Sequence, residues 1–193
     1  MNNRIKVMKK HFGKISGEVD EAATKIIEED LLIAGNRAKQ LLDLENLEVS
    51  KPFVVRTASN FNHKTKYRIN LLNDAQHLDY DQSLVTTIFL GTKALYYHGV
   101  IVNHQDGKIY NDVAGEVRYN DVTHVEVVID SSESRSKVNV ITVELILNLI
   151  NGTSLVFNLR THYLYHESEY PELLLEKERY IINTIKEAIR SAR

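Results

Sequence analysis

The sequence predicts an α+β fold: a small antiparallel β-barrel or bent sandwich, capped by a long C-terminal helix and preceded by an N-terminal helical extension. Three observations carry this. Apolar residues recur at helical spacing up to about residue 44. From Lys51-Pro52 to Arg160 the chain is rich in Val, Ile, Thr, Tyr and Phe, with turn signals at strand-like intervals. After Arg160 one amphipathic stretch runs to about Ala192. The division is therefore residues 1–50 as the extension and 51–193 as the β-domain with its capping helix.

The first segment predicts a short basic amphipathic helix. Ile5, Met8, Phe12 and Ile15 recur at three and four, with Arg4, Lys6, Lys9, Lys10 and Lys14 mostly elsewhere. The second helix is expected over 17–44, with Ser16 as N-cap. Its stripe is Ala23, Ile27, Leu31, Ala34, Ala38 and Leu41, and Gly35-Asn36 is a candidate break. That stripe suits docking on the rest of the chain or helix-mediated dimerisation. Strands are expected at 53–58, 67–72, 84–90, 94–103, 108–113, 116–119, 123–129, 138–150 and 154–160. Asp106-Gly107 and Asn151-Gly152 are the hairpin turns, since both pairs tolerate the positive φ of a type I′ turn. Residues 131–137 read as a charged loop, and Ser168 and Pro171 as the start of the closing helix.

The 193 residues contain no cysteine, which removes disulfides, thiolate metal sites and a cysteine nucleophile. Net charge is −2, but it is unevenly spread. Residues 1–70 hold 13 basic and 9 acidic residues, a net +4, while 71–193 hold 11 and 17, a net −6. Opposite charge makes head-to-tail association, within one molecule or between two, the default expectation for the basic arm. The first twenty residues lack the apolar stretch of a secretory signal. No window approaches the roughly 20 apolar residues of a membrane-spanning helix. The expectation is a cytoplasmic protein.

Several segments resemble a known family. Ile88–Gly99 (IFLGTKALYYHG), Gly115–Val127 (GEVRYNDVTHVEV) and Glu144–Leu159 (ELILNLINGTSLVFNL) resemble successive strands of bacterial pleckstrin-homology-like (PH-like) domains. Glu169–Ala192 falls where that family places its closing helix, so the resemblance covers roughly residues 77–192. It implies a PH-like barrel acting as a non-enzymatic bacterial binding module. Its partner would be a protein or peptide at the barrel edge, or a second copy in a homo-oligomer. The chain lacks the tryptophan that many eukaryotic members carry in the final helix. If the strands before residue 75 begin the barrel, Lys64, Lys66 and Arg68 resemble the anion-binding hairpin of eukaryotic members. Alternate strand residues share a face, so the three cations could converge on a phosphate; a solvated hairpin edge is the plainer reading.

Other chemistry finds little anchor. The motifs G-x-S-x-G, G-x-G-x-x-G and G-x-x-x-x-G-K-[ST] do not occur, so neither a serine nucleophile nor a phosphate-cradling loop is indicated. His162 and His166 stand four apart beside Glu167 and Glu169, which makes a histidine-containing hydrolase pocket a further alternative. No third ligand follows, so no metal and no cofactor is implied. His98 and His104 have the same parity, as on an exposed sheet face. The first alternative, ahead of the hydrolase, is an adaptor that binds an anionic membrane surface or nucleic acid through the basic arm Arg4, Lys6, Lys9, Lys10 and Lys14 together with Lys64, Lys66 and Arg68.

Overall fold

The computed structural model describes residues 3–72, 75–133, 139–164 and 174–192. Helix α1 (Asn3–His11) packs Met8 and Phe12 onto Ala23 and Ile27 of helix α2 (Glu21–Leu42). Between them, strand β1 (Ser16–Glu18) runs parallel to β3 (Tyr67–Leu72). That short pairing moves the start of α2 away from the expected Ser16. Asp20 caps the helix instead, its Oδ1 accepting the Ala23 N–H at 3.3 Å. The helix runs unbroken through Gly35-Asn36 and stops at Asp43, which is left-handed at φ 48°. Its stripe docks on the sheet of its own chain. Ala34 meets Val85, Val100 and Val102, and Ala38 meets Phe89 and Leu44, while Leu41 is 53% exposed. Alanine at both contact positions lets the helix axis approach the strands closely.

The first sheet has the order β2-β5-β6-β7, from β2 (Phe53–Ala58), β5 (Gln82–Leu90), β6 (Ala94–Asn103) and β7 (Lys108–Arg118), all antiparallel. The hairpin of β3 and β4 (Ala75–Tyr80) is inserted between β2 and β5, and β1 extends it. The second sheet has the order β10-β9-β8, from β8 (Val122–Glu133), β9 (Asn139–Leu149) and β10 (Ser154–Leu164). Helix α3 (Glu176–Ser191) follows. The expected helix start at Ser168 and Pro171 lies outside the described residues. The two expected strands 108–113 and 116–119 are one, and Asn111, at φ 55°, lies where its pairing with β6 shifts register. In both expected hairpin turns only the glycine, Gly107 at φ 75° and Gly152 at φ 81°, has positive φ. Neither is therefore type I′, which needs two such residues in a row.

The fold is mixed α+β, as expected, but none of its three sheets closes into a barrel. β2 and β10 come together at a seam without sharing a ladder. The main core lies between the sheets and α3, where Ile181, Ile182, Ile185 and Ile189 pack on Ile88, Leu95, Leu145, Leu147 and Phe157. Each buried isoleucine contributes about 1.5–3 kcal/mol. No described helix is long and apolar enough to cross a membrane.

Three aspartates tie α1 and α2 to the strands. Asp30 on α2 pairs with Arg4 of α1 and with His104 Nδ1 at 2.7 Å. Asp79 on β4 pairs with Arg56 of β2 at 2.8 Å and with His11 of α1 at 3.2 Å. Asp112 on β7 pairs with Arg37 of α2 and with His98 of β6 at 2.9 Å. His98 and His104 are thus buried under α2, correcting the exposed face expected for them. A carboxylate needs a donor, so His104 carries its proton on Nδ1 and its Nε2 accepts the Ser83 hydroxyl at 3.0 Å.

Removing one partner of a buried pair leaves an uncompensated charge. Asp79→Ala strands both Arg56 and His11, and should cost about 3–5 kcal/mol in urea unfolding. Asp106→Ala breaks only exposed contacts with Lys108, a 3.7 Å ion pair and a 3.1 Å hydrogen bond from its N–H, and should cost about 1 kcal/mol. Burial pushes the His104 imidazole down, against the pull of Asp30 and reinforced by Arg56 and Arg4. Its stabilising effect is complete above the unfolded value of about 6.5 and drains away as pH falls below it, because the unfolded chain takes up the proton first. The urea midpoint should therefore fall between pH 7.5 and 5.5. His104→Gln should flatten that slope; an unchanged slope would show that His104 does not set it.

Candidate functional site

The seam between β2 and β10 opens into a cleft of about 790 Å³. One wall is α2, through Thr24, Ile27, Glu28 and Leu31, which the helical period stacks on one face. The other is the start of α3, through Leu175, Lys177, Glu178 and Ile181. The floor is made of Val54–Arg56 on β2, Leu78–Tyr80 on β4 and Leu159–Thr161 on β10.

Two side chains bridge to the strand edges. Lys177 Nζ donates to the Val54 carbonyl at 3.1 Å, and the Tyr80 hydroxyl donates to the Thr161 carbonyl at 2.5 Å. Both carbonyls are reached from outside their own sheets. Edge strands left bare invite adventitious pairing, and a polar side chain laid on the edge blunts it.

Of the ionisable groups lining the cleft, Arg56, Asp79, Arg160 and Glu178 are held in ion pairs, while Lys177 meets a carbonyl and Glu28 is exposed on the α2 wall. Arg160 on β10 meets Glu178 on α3 at 3.0 Å, both nearly buried. Glu178 Oε2 also accepts the Leu175 N–H at 2.9 Å, which caps the helix. Burial pushes the Glu178 carboxyl up, opposed by the Leu175 amide and by Arg160. Burial acts the same way on Asp79, but hydrogen bonds from His11, Arg56 and Asn70 and the charge of Arg56 outweigh it, holding that carboxyl well below the usual range. The walls between these pairs are aliphatic: Ile27, Leu31, Leu159 and Ile181. The arrangement offers apolar contact and backbone carbonyls, with the exposed Glu28 carboxylate at its mouth.

The residues singled out in the sequence lie elsewhere. Arg68 is 6% exposed and turned inward. Its guanidinium donates to the His11 carbonyl at 3.1 Å, the Glu18 carbonyl at 3.0 Å and Asn70 Oδ1 at 3.2 Å. It cross-links β3 to α1 and β1 and does not converge with Lys64 and Lys66, which are exposed. In the basic arm, Arg4 is held by Asp30 and the His104 carbonyl, while Lys6, Lys9, Lys10 and Lys14 are exposed. His162 falls on β10, but its side chain and the whole of His166 lie outside the described residues.

The groups that sequence reasoning missed are Arg56, Asp79, Arg160 and Glu178. Their ion-pair partners are 18 or more residues away, so no spacing announces them. Asp30 did leave a signal: it sits between Ile27 and Ala34 on the buried stripe, where a carboxylate requires a partner. No protein-family model, curated protein or solved structure matches the chain.

Proposed function

We propose that the chain is a non-enzymatic interaction module of PH-like arrangement whose ligand is an extended peptide segment seated in the seam cleft. A four-stranded meander, a three-stranded meander and a closing helix follow one another in the order that the PH-like resemblance implies. The hairpin β3–β4 is then an insertion after the first strand, and α1 to α2 the N-terminal extension.

One observation carries the peptide reading. The cleft lies between two strand edges, and one side chain bridges to each of them, the exposed Lys177 and the buried Tyr80. An incoming strand brings its own N–H groups. It can take the Val54 carbonyl from Lys177, whose exposed ammonium returns to water, exchanging one hydrogen bond for another. Its apolar side chains pack between Ile27 and Leu31 on one wall and Leu159 and Ile181 on the other. The released Lys177 ammonium at the rim favours an acidic residue in the segment. The cleft volume falls within the usual ligand-site range of about 300–1,000 Å³.

Selection from a random-peptide display library tests this. Glu28 is exposed on the α2 wall, so Glu28→Trp obstructs the mouth without entering the core. Enriched peptides should contain aliphatic residues with an acidic neighbour and should bind Glu28→Trp at least tenfold more weakly. Peptides that bind both forms equally, or no enrichment at all, would remove the cleft as the binding site.

A further inference from the structure

Two basic segments far apart in sequence meet at one end of the molecule. β1 lies against β3, with the Ile69 N–H donating to the Ile15 carbonyl at 2.8 Å, and Arg68 clasps the His11 carbonyl. The end of the arm, carrying Lys14, is thereby laid beside the start of β3, directly after Lys64 and Lys66. Lys6, Lys9 and Lys10 are exposed along α1.

Three acids here are turned inward. Asp30 and Asp79 are buried in the ion pairs described above. Asp81 is wholly buried and holds His63 at 2.8 Å, the Lys66 N–H at 2.7 Å and Gln105 at 2.8 Å. Glu18 and Asp106 face solvent, and Asp106 has Lys108 beside it at 3.7 Å. The result is six exposed lysines, with exposed acids at Glu18 and Asp106 and, on the adjoining α2, at Glu21, Glu28 and Glu29.

An aromatic platform stands beside them. Phe61 is 44% exposed, and its ring lies 5.1 Å from that of Tyr110. The loop that carries it is braced. Thr65 N–H donates to Asn60 Oδ1 at 2.8 Å, and Asn62 N–H donates to Gln82 Oε1 at 2.9 Å. Gln105 links this loop to the turn whose His104 carbonyl accepts from Arg4 of α1.

We propose that this end of the molecule binds single-stranded nucleic acid, with the lysines on backbone phosphates and Phe61 stacking on a base. Lysines tracking a backbone beside a fixed aromatic ring form the common non-specific recognition surface for single strands. A membrane-bound surface needs a contiguous apolar face between the cations. Here the exposed large apolar side chains are two, Ile15 at 63% and Phe61 at 44% exposure, which do not make such a face.

Fluorescence anisotropy of the full chain with labelled (dT)20 from 50 to 200 mM salt is the test. Four to six phosphate contacts predict a slope of log K against log salt of about −3 to −4. The double variants Lys9→Glu/Lys10→Glu and Lys64→Glu/Lys66→Glu should each weaken binding at least tenfold, because both segments contribute. Phe61→Ala should weaken it about fivefold or more while leaving the salt slope unchanged. Glu28→Trp should leave it untouched, which separates this surface from the cleft. The proposal is overturned by absence of binding at 50 mM salt or by indifference to either double variant. Binding to phosphatidylserine vesicles as tight as to (dT)20 also overturns it, making the surface a membrane one.

Discussion

The structure depends on three aspartates that each hold an arginine and a histidine across separate elements. Asp30, Asp79 and Asp112 connect α1 and α2 to β2, β4, β6 and β7. Taking these charges out of water is expensive, and such pairs add little net stability compared with well-packed apolar residues. What they contribute is position. An alanine-lined helix could slide along a sheet of Val85, Val100 and Val102 at small cost in contact. A carboxylate that must meet His104 at 2.7 Å tolerates no such slide. The ion pairs fix the register of the helical layer, and the small apolar residues let it sit close.

The same pairs sort the charge of the molecule. The sequence divides into a basic front and an acidic rear, which reads as an attraction between opposite ends. In the folded chain the attraction is local and internal. Asp30 neutralises Arg4, and Asp112 from the acidic rear neutralises Arg37. Lys6, Lys9, Lys10 and Lys14 are not drawn into these pairs and stay at the surface. Burying an acid therefore matters twice: it anchors the helix, and it removes a negative charge that would otherwise screen the exposed lysines.

Much of the framework was legible because it rests on local periodicity. Strands 53–58, 67–72 and 94–103 match expectation to the residue, since alternation and turn residues define them without reference to partners. Strands β1 and β4 were missed. Ser16–Glu18 is a three-residue strand held only by its pairing with Ile69–Leu71, so nothing local marks it. Arg68 failed as a surface cation for the same kind of reason. Strand parity placed it on one face with Lys64 and Lys66, but the carbonyls of His11 and Glu18, supplied from 57 and 50 residues away, turned it inward. The histidines were misplaced because an imidazole on an alternating strand is equally compatible with water or with a buried aspartate, and only α2 decides between them. The cleft was not legible at all, because segments from α2, β2, β3, β4, β10 and α3 make it.

Those segments also explain why the sheets stay open. A ladder between β2 and β10 would require the strands to lie about 4.8 Å apart with nothing between them. The inserted hairpin prevents this. β4 ends at Asp79 and Tyr80, and both reach across the seam: Asp79 to Arg56 on β2, and Tyr80 to the Thr161 carbonyl on β10. Arg56 in turn donates to the Leu78 carbonyl at 2.9 Å, so the edge of β2 is tied to the hairpin instead of to the second sheet. From the far side α3 contributes Lys177 to the other open carbonyl. Closure is thus replaced by side-chain bridges, each a single hydrogen bond worth about 1 kcal/mol net rather than a cooperative ladder. A seam held by such exchangeable contacts is the part of the fold that a ligand could enter at least cost. It is built from the same hairpin whose aspartate anchors α1.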